Sequence, residues 1–295
     1  MTDDFKLYSK IIKPQDISLL TFDNFIKKSN NNKINQFNII KKISIGSFAK
    51  TYLASCKKNE NIYVVLKKIN LKKNEYINTV IYNEISNLNE LNHPYIIKMF
   101  DFFNNGLFFY IVFEYAKYGE LFDIYDPNMN EKEISKIIIQ IAYAIKECHI
   151  KNIVHKDIKL ENIVKYEDNH YKLIDFGCSI NLNHPKLVPI LSGTLEYMSP
   201  ETFLVRDKMY LNTDLWCIGI LIYELYTNRN PFILIDEEID RYNKIKYNVL
   251  YEDVFMPEFF SENLIDLLTK CFEKDPNLRI NINDFITHPW FINCI

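Results

Sequence analysis

The segment from Asp214 to Leu225 (DLWCIGILIYEL) is apolar on nearly every side. A helix of this kind must be covered by protein on all its faces, so it requires a large helical domain around it. An earlier stretch has apolar residues three and four positions apart, which predicts another helix. These residues are Ile134, Ile137, Ile138, Ile141 and Ile145. From Phe37 to Phe113, by contrast, short apolar runs are typical of strands, with one helical stretch inserted. We therefore predict a small sheet-rich part followed by a larger helical part.

Charge and composition exclude several classes of protein. The net charge of −3 gives no footprint for nucleic acid, so we expect no nucleic-acid partner. No apolar run reaches the roughly 18 residues of a membrane-spanning helix, and the charged N-terminus is unlike a signal peptide. The six cysteines include no CxxC pair, which favours reduced thiols and a cytoplasmic and/or nuclear location. Only six of the 295 residues are glycines, so each one is a candidate for a special position.

One acid lies where an apolar residue is expected. In the predicted helix over residues 77–91, Glu84 falls on the apolar stripe, where an unpaired carboxylate is costly. Either Glu84 lies at the edge of the stripe and reaches water, or it pairs with a lysine on an adjoining strand. Lys67, in the strand-like run from Tyr63 to Ile69, is the candidate. A single lysine in a strand is more often a solvated edge residue.

The segment Ile153–Val164 (IVHKDIKLENIV) carries polar groups between two apolar ends. It supplies a base, a cation and an amide within eight residues, at His155, Asp157, Lys159 and Asn162. Thirteen residues after Asn162, Asp175 follows an apolar strand and precedes a Phe-Gly pair. A solvated loop would explain either segment alone. Both together, in this order and downstream of Lys67 and Glu84, are very unlikely to arise by chance and need a chemical explanation.

From Phe37 to Phe291 the sequence resembles the eukaryotic protein kinase family, on motifs that occur in the family's order. The resemblance implies a bilobal α+β fold. Residues 37–115 would form an N-lobe with a small antiparallel sheet and one helix, and residues 116–295 a mostly helical C-lobe. Residues 37–291 would be one kinase domain, and residues 1–36 an extension ending in a polar linker. The segments Gly193–Tyr197 and His288–Trp290 resemble the Aurora-like and calmodulin-kinase-like branches.

This resemblance implies ATP as the phosphate donor. The run from Ile43 to Thr51 stands where the family has its glycine-rich loop, and only the middle glycine, Gly46, remains. The outer two positions hold Ser44 and Ala49. Lys67 would bind the α- and β-phosphates, with Glu84 as its partner. The other cofactor-binding residues would line the adenine pocket, with backbone groups of Glu114 and Ala116 at the adenine edge. They are Ile43, Thr51, Val65, Phe113, Glu114, Ala116 and Val164.

The resemblance also implies the catalytic roles. In the catalytic loop, lysine replaces the family's arginine at position 156. Asp157 would accept or orient the proton of the substrate hydroxyl, and Lys159, typical of serine/threonine kinases, would neutralise the transferring phosphoryl group. Asn162 and Asp175 would hold Mg²⁺ through hard oxygen ligands.

Three further contacts would support the catalytic loop. Thr194 would bond the side chains of both catalytic residues, next to the acceptor. Glu201 would form a buried ion pair with Arg279, and Asp214 would accept hydrogen bonds from amides of the loop. These contacts imply an ordered site.

The activation segment departs from the family pattern. Many members are activated by phosphorylation of a threonine in this loop, and a phosphate needs cations around it. The threonine position and three cation positions hold Ile190, Lys156, Ile180 and Val80. Because three of the four are apolar, we hypothesise that apolar packing holds the loop without phosphorylation at the usual site. The alternative is that the alignment is off by a residue or two and that Ser192 or Thr194 is phosphorylated instead.

Substrate preference has its own signal. Glu120, Glu161 and Glu224 resemble the acids with which basophilic kinases hold arginine upstream of the acceptor, although Glu161 and Glu224 also occur in kinases of other preferences. Cys178, directly after Gly177, is either an exposed reactive thiol or, more often in such a place, a small buried hydrophobe.

The sequence therefore predicts an ATP- and Mg²⁺-dependent serine/threonine protein kinase. Its partners would be protein substrates with an arginine upstream of the acceptor, and a regulatory partner for residues 1–36. The rival is a catalytically weak pseudokinase acting as a scaffold, which Ser44 and Lys156 favour and the intact catalytic set opposes. A third reading, an enzyme for small-molecule substrates, is disfavoured by the full activation segment.

Overall fold

The chain forms two compact units in a computed structural model. The structure describes residues 32–46, 49–71, 75–183, 192–204, 208–233 and 240–292, and of residues 75 and 76 only the backbone. The first unit comprises the residues up to Asn92 together with Ile97–Ala116. The second comprises His93–Ile96 and the residues from Lys117 on.

A five-stranded antiparallel sheet forms the first unit, in the order β1-β2-β3-β5-β4. Its strands are β1 Phe37–Ile45, β2 Ala49–Cys56, β3 Asn59–Asn70, β4 Met99–Asn104 and β5 Phe108–Glu114. Helix α1, Glu75–Glu90, lies between β3 and β4 in the chain. Strands β4 and β5 form a hairpin, and Gly106 in its turn has a φ of +85°, which a side chain disfavours.

One face of this sheet carries an apolar core rich in aromatic rings. Phe37 stacks on Phe103 with ring centroids 6.0 Å apart, and Phe103 on Tyr110 at 5.0 Å. The members of the core are Phe37, Ala54, Cys56, Ile62, Val64, Leu66, Phe100, Phe103, Tyr110 and Val112. Hydrogen bonds between neighbouring strands and burial of this shared apolar face together stabilise the sheet.

The last residues of the predicted linker are packed against the sheet. Lys33 is only 5% exposed, and its Nζ lies 2.6 Å from Oδ2 of Asp101 on β4. The carbonyl of Gln36 accepts a hydrogen bond from the amide of Lys57 at 2.9 Å. The end of the predicted linker, residues 33–36, is thus attached to the first unit, with the charge of Lys33 paired inside that unit.

The second unit is mostly helical. Its helices are α2 Leu121–Ile124, α3 Glu131–Ile150, α4 Pro200–Leu204, α5 Thr213–Thr227, α6 Arg241–Tyr251, α7 Glu262–Cys271, α8 Ile282–Ile286 and α9 Pro289–Ile292. It also has the short strands β6 Ile153–Val154, β7 Ile163–Glu167, β8 His170–Leu173 and β9 Ile180–Asn181, which pair as β6-β9 and β7-β8. The predicted isoleucine stripe lies on α3, and its five members are buried.

Helix α5 is the buried centre that the sequence predicts. Twelve of its 15 residues are buried, and the Trp216 ring stacks on Phe232 with centroids 4.9 Å apart. The α+β class is confirmed, with the sheet in the first unit and the helices concentrated in the second. Within the described residues, no helix is long and apolar enough to cross a membrane.

The segment His93–Ile96 belongs to the second unit although the predicted N-lobe ran through it. The amide of Leu173 donates to the carbonyl of Tyr95 at 2.8 Å, and Ile96 forms a parallel bridge with Leu173. These backbone bonds attach the segment to strand β8. Most of the predicted extension, residues 1–31, and the predicted loop position Ile190 lie outside the described residues.

Candidate active site

Lys67 on β3 and Glu84 on α1 form the ion pair that the sequence left as one of two alternatives. Nζ of Lys67 lies 2.7 Å from Oε1 of Glu84, and Glu84 is 1% exposed. The alternative, a glutamate that reaches water at the stripe edge, is therefore wrong. A buried carboxylate with a cation at this distance fixes the lysine ammonium in one place.

Four of the predicted nucleotide-binding residues share one face of the sheet in the first unit. Thr51 pairs with Lys67 across β2 and β3, and Val65 pairs with Phe113 across β3 and β5. Because directly paired residues and residues two apart lie on the same face, these four side chains form one patch. Ile43 lies at a register shift between β1 and β2 and is 41% exposed.

The remaining predicted cofactor contacts are more scattered. The amide of Gly46 donates to the carbonyl of Ala49 at 2.9 Å, and within the described residues a Cβ on Gly46 would meet only that oxygen, at 3.7 Å. The fold therefore does not itself require glycine at this position. The amide of Glu114 donates to the carbonyl of Lys98 at 3.0 Å, so this amide is already engaged within the first unit and is not the group that would bond adenine. Val164, on β7 of the second unit, is 7% exposed.

The catalytic loop is fixed by Asp214 at the start of helix α5. The amides of His155 and Lys156 donate to its carboxylate at 3.0 and 2.8 Å, as predicted. His149 of α3 adds a contact that the sequence did not indicate, with Nε2 2.9 Å from Oδ2 of Asp214. Asp214 is fully buried, and these three contacts compensate for its lost hydration.

Asp157 is held on both sides of its carboxylate. Oδ1 accepts from the amide and the hydroxyl of Thr194, at 2.8 and 2.6 Å. Oδ2 accepts from Nδ2 of Asn162 at 2.9 Å and lies 3.4 Å from Nζ of Lys159. Nζ of Lys159 also donates to the Thr194 hydroxyl at 2.6 Å. The predicted contacts of Thr194 are thus present, and the arrangement orients a carboxylate and an ammonium together.

Asn162 and Asp175 have the chemistry of a magnesium site. The amide of Ile174 donates to the carbonyl of Asn162 at 2.9 Å, which brings the next residue, Asp175, beside Asn162. Nδ2 of Asn162 also donates to the carbonyl of Asp157 at 2.7 Å, which directs its side-chain oxygen away from these bonds. Asp175 is exposed and has a left-handed backbone, φ 60° and ψ 80°, which is uncommon for a residue other than glycine. One amide oxygen and one carboxylate fit the hard ligands that Mg²⁺ prefers.

The profile of the protein kinase domain matches residues 37–291. This chain belongs to the protein kinase family. The match covers both units described above, from the start of β1 to helix α9.

Three relatives place this kinase-family chain in the Aurora-like branch. It is 35% identical to an Aurora kinase of Dictyostelium discoideum over 87% of this chain and 66% of the relative. It is 32% identical to an Aurora kinase of Debaryomyces hansenii, over 88% of this chain and 63% of the relative. An Aurora kinase of Encephalitozoon cuniculi is 31% identical, over 88% of this chain and 95% of the relative. The chain thus spans slightly less than two thirds of the first two relatives.

This kinase-family member also keeps the predicted ion pair that supports the second unit. Arg279 donates to both carboxylate oxygens of Glu201, at 2.7 and 2.8 Å, and the two residues are 2% and 3% exposed. Burial acts to raise the pKa of Glu201, but the hydrogen bonds and charge of Arg279, with bonds from the backbone and Thr213, hold it below its usual value. Glu201 therefore stays ionised and paired.

The three acids predicted to read upstream arginine all lie in the second unit. Burial raises the pKa of Glu120, and the charges of Asp123 and Glu161 add to this. Burial also raises the pKa of Glu224, to about 7, although the Tyr197 hydroxyl donates to it. This cluster concentrates negative charge that a guanidinium would relieve.

Two further contacts of this chain were not found from the sequence. Nζ of Lys156 donates to Oγ of Ser192 at 2.7 Å, and Nη2 of Arg241 lies 2.8 Å from Oε1 of Glu196. Both join residues more than 35 positions apart. The replacement of arginine by lysine at position 156 was the one signal that pointed to the first of them.

Proposed function

We propose that this chain is an ATP- and Mg²⁺-dependent serine/threonine protein kinase. The observation that carries the proposal is the carboxylate of Asp157, which Thr194 and Asn162 hold in place beside the ammonium of Lys159. A general base and a cation in one fixed pair suit transfer of a phosphoryl group to a hydroxyl.

In the proposed reaction, the acceptor hydroxyl lies against Asp157. The acceptor oxygen forms a bond to the γ-phosphorus while the bond from that phosphorus to the oxygen of the ADP leaving group breaks. The hydroxyl proton passes to the Asp157 carboxylate. Lys159, 3.4 Å from that carboxylate, offsets the negative charge of the transferring group.

Phosphate binding is assigned to Lys67, and Glu84 acts by keeping its ammonium in place. The same face of the sheet carries Thr51, Val65 and Phe113, which we assign to the adenine ring together with Ile43, Ala116 and Val164. Asn162 and Asp175 would hold Mg²⁺, which when bound neutralises charge on the phosphate oxygens.

Transfer of radiolabelled phosphate from ATP to a protein substrate tests this proposal. We expect Asp157→Asn and Asp175→Asn to lower kcat by about 10² to 10⁴, since the first removes the charged general base and the second removes a charged metal ligand. Lys67→Met should be equally inactive. Lys68→Met is the matched control, because Lys68 is the next residue of β3 and its Nζ lies over the Phe108 ring, 3.8 Å from the centroid. We expect Lys68→Met to stay active.

The scaffold function remains the rival, and Ser44 and Lys156 are the observations that favour it. The same assay separates the two. If the wild-type chain transfers no more phosphate than Asp175→Asn, the chain is a pseudokinase. A rise in the melting temperature of the protein on addition of Mg²⁺ and ATP, without phosphate transfer, would support that outcome.

For the substrate, we propose proteins with an arginine two or three residues upstream of the acceptor. The supporting observation is the acidic cluster of Glu120, Glu161 and Glu224, in which burial and then the charge of Glu161 raise the pKa values of Glu120 and Glu224. A peptide library should select arginine there, and Glu224→Gln should weaken the selection. A preference for proline directly after the acceptor, or for acids upstream, would refute it.

We further propose a cytoplasmic and/or nuclear location, which the free thiols of the described cysteines support. A regulatory partner for residues 1–36 stays a proposal as well. Binding of cell proteins to the full chain but not to a chain lacking residues 1–31 is the test, and Lys33 is retained because it is buried in the first unit.

A further inference from the structure

Lys156 is a buried lysine held at both of its ends. It is 5% exposed, and its backbone has a left-handed φ of 71°. Its amide donates to Oδ1 of Asp214 at 2.8 Å, and its Nζ donates to Oγ of Ser192 at 2.7 Å. Burial of the Lys156 ammonium costs hydration free energy, which a charge-assisted hydrogen bond must offset. The contact with Ser192 is therefore a specific one.

The residues after Ser192 lie directly against the catalytic loop. Gly193 has a φ of +109°, and a Cβ there would stand 2.8 Å from the carbonyl of Lys156, so only glycine permits this approach. Thr194 follows and donates twice to Asp157. Three consecutive residues therefore contact Lys156 and Asp157 in order.

We propose that Lys156, through its hydrogen bond to the unmodified hydroxyl of Ser192, positions Thr194 against Asp157 and so orders the catalytic site without a phosphate on the activation segment. This inference rests on the proposed kinase function and names how the same site is regulated. Lys156 occupies a position at which the family resemblance implies a phosphate-binding cation. In this structure its ammonium binds the neutral hydroxyl of Ser192 instead.

The surroundings of Lys156 support this assignment. Burial lowers the pKa of Lys156 to about 8, while the carboxylates of Asp214 and Asp157 act in the opposite direction. Ile180, another of the predicted cation positions, is an apolar residue 2% exposed. Ile180 therefore offers a phosphate no positive charge, and the ammonium of Lys156 is already engaged with Ser192.

Kinetics of the full-length chain test the proposal. Ser192→Ala and Lys156→Met should each lower kcat with a peptide substrate about ten-fold, with the KM for ATP unchanged, because the loss is one of orientation at Asp157. The double variant should be no worse than either single variant. Ser192→Thr keeps a hydroxyl at this position, so it should retain the activity of the wild type. Ser135→Ala is the matched control, since this buried serine donates only within helix α3, to the carbonyl of Lys132, and should have no effect.

Phosphatase treatment tests whether the activity depends on a phosphate. The wild-type enzyme should keep its activity after complete dephosphorylation, verified by mass spectrometry. Loss of activity on this treatment, or additive effects of the two single variants, would overturn the proposal.

Amide hydrogen exchange tests the positioning role of Lys156 independently of the proposed kinase activity. The amide of Thr194 donates to Asp157, so its exchange should speed up about ten-fold in Ser192→Ala and Lys156→Met but not in Ser135→Ala. This holds even in a chain that transfers no phosphate. Unchanged exchange in both variants would overturn the positioning role whatever the activity.

Discussion

A buried glutamate and a half-buried glutamate of the second unit show how the partner of a residue decides its charge. Glu201 receives two hydrogen bonds from a guanidinium, and its pKa lies below the usual value. Glu224 accepts a bond from the Tyr197 hydroxyl, which brings no charge, and its pKa rises to about 7. The same side chain is thus a fixed anion in one place and titrates near neutral pH in the other.

Replacement of Glu224 by glutamine should remove a pH dependence of stability. Because burial raises the folded pKa of Glu224 from 4.5 to about 7, its protonated form contributes stability that is full below pH 4.5 and lost as the pH rises through 7. Between pH 5 and 8, the free energy of unfolding of the wild type should fall by about 2 kcal/mol relative to Glu224→Gln. Urea unfolding at both pH values measures the difference. The exposed Glu258 gives the control, Glu258→Gln, and an equal slope in both variants would contradict the assignment.

At the scale of elements, helix α5 shows why the chain keeps a glycine inside a helix. A Cβ on Gly219 would meet Cβ of Cys271 and Cε1 of Phe272, each at 2.9 Å. The glycine therefore lets α5 approach the end of α7. Its apolar surroundings follow from the pattern of Asp214–Leu225, but this close approach does not, because it depends on a partner about 50 residues away.

Gly219→Ala should therefore destabilise the protein, against the usual effect in a helix. Alanine normally gains about 0.5 to 1 kcal/mol over glycine there, whereas overpacking costs about 1 to 3 kcal/mol. We expect a net loss of about 1 to 2 kcal/mol in the free energy of unfolding, seen as a lower melting temperature. Gly46→Ala is the comparison, since a Cβ there has only one ordinary contact at 3.7 Å. A rise in melting temperature for Gly219→Ala would show that the helix has room.

At the scale of the whole molecule, the sequence was sufficient where local pattern or order of motifs carries the information. Strand and helix periodicity predicted the sheet-rich first unit and the buried helix α5. The charge of Glu84 on an apolar stripe left two alternatives, and the family resemblance implied the one that is present, its pairing with Lys67. The bond between Lys33 and Asp101 could not be predicted, because a lysine in a polar run looks solvated until its partner 68 residues away is known. The pairs of Lys156 with Ser192 and of His149 with Asp214 were missed for the same reason.

The distribution of thiols across the two units leads to a prediction for the whole chain. Cys56 in the first unit is buried, as are Cys148, Cys217 and Cys271 in the second, whereas Cys178 is partly exposed. Burial raises the pKa of Cys56 to about 11 and those of the other three buried thiols as well. Since the thiolate is the nucleophile, the four buried thiols lose both access and ionisation, and its exposure favours Cys178.

Iodoacetamide at pH 8 should therefore label Cys178 first among the five described cysteines. A pKa raised from 9.0 to about 11 lowers the thiolate fraction of Cys56 about 100-fold, before its lack of access is counted. Peptide mass spectrometry over time measures the rates, with unfolded protein as the reference in which all five should react alike. Cys178→Ser should remove the fast site. Labelling of Cys217 as fast as Cys178 in the folded chain would mean that the second unit opens around α5, and would contradict the tight packing of that helix.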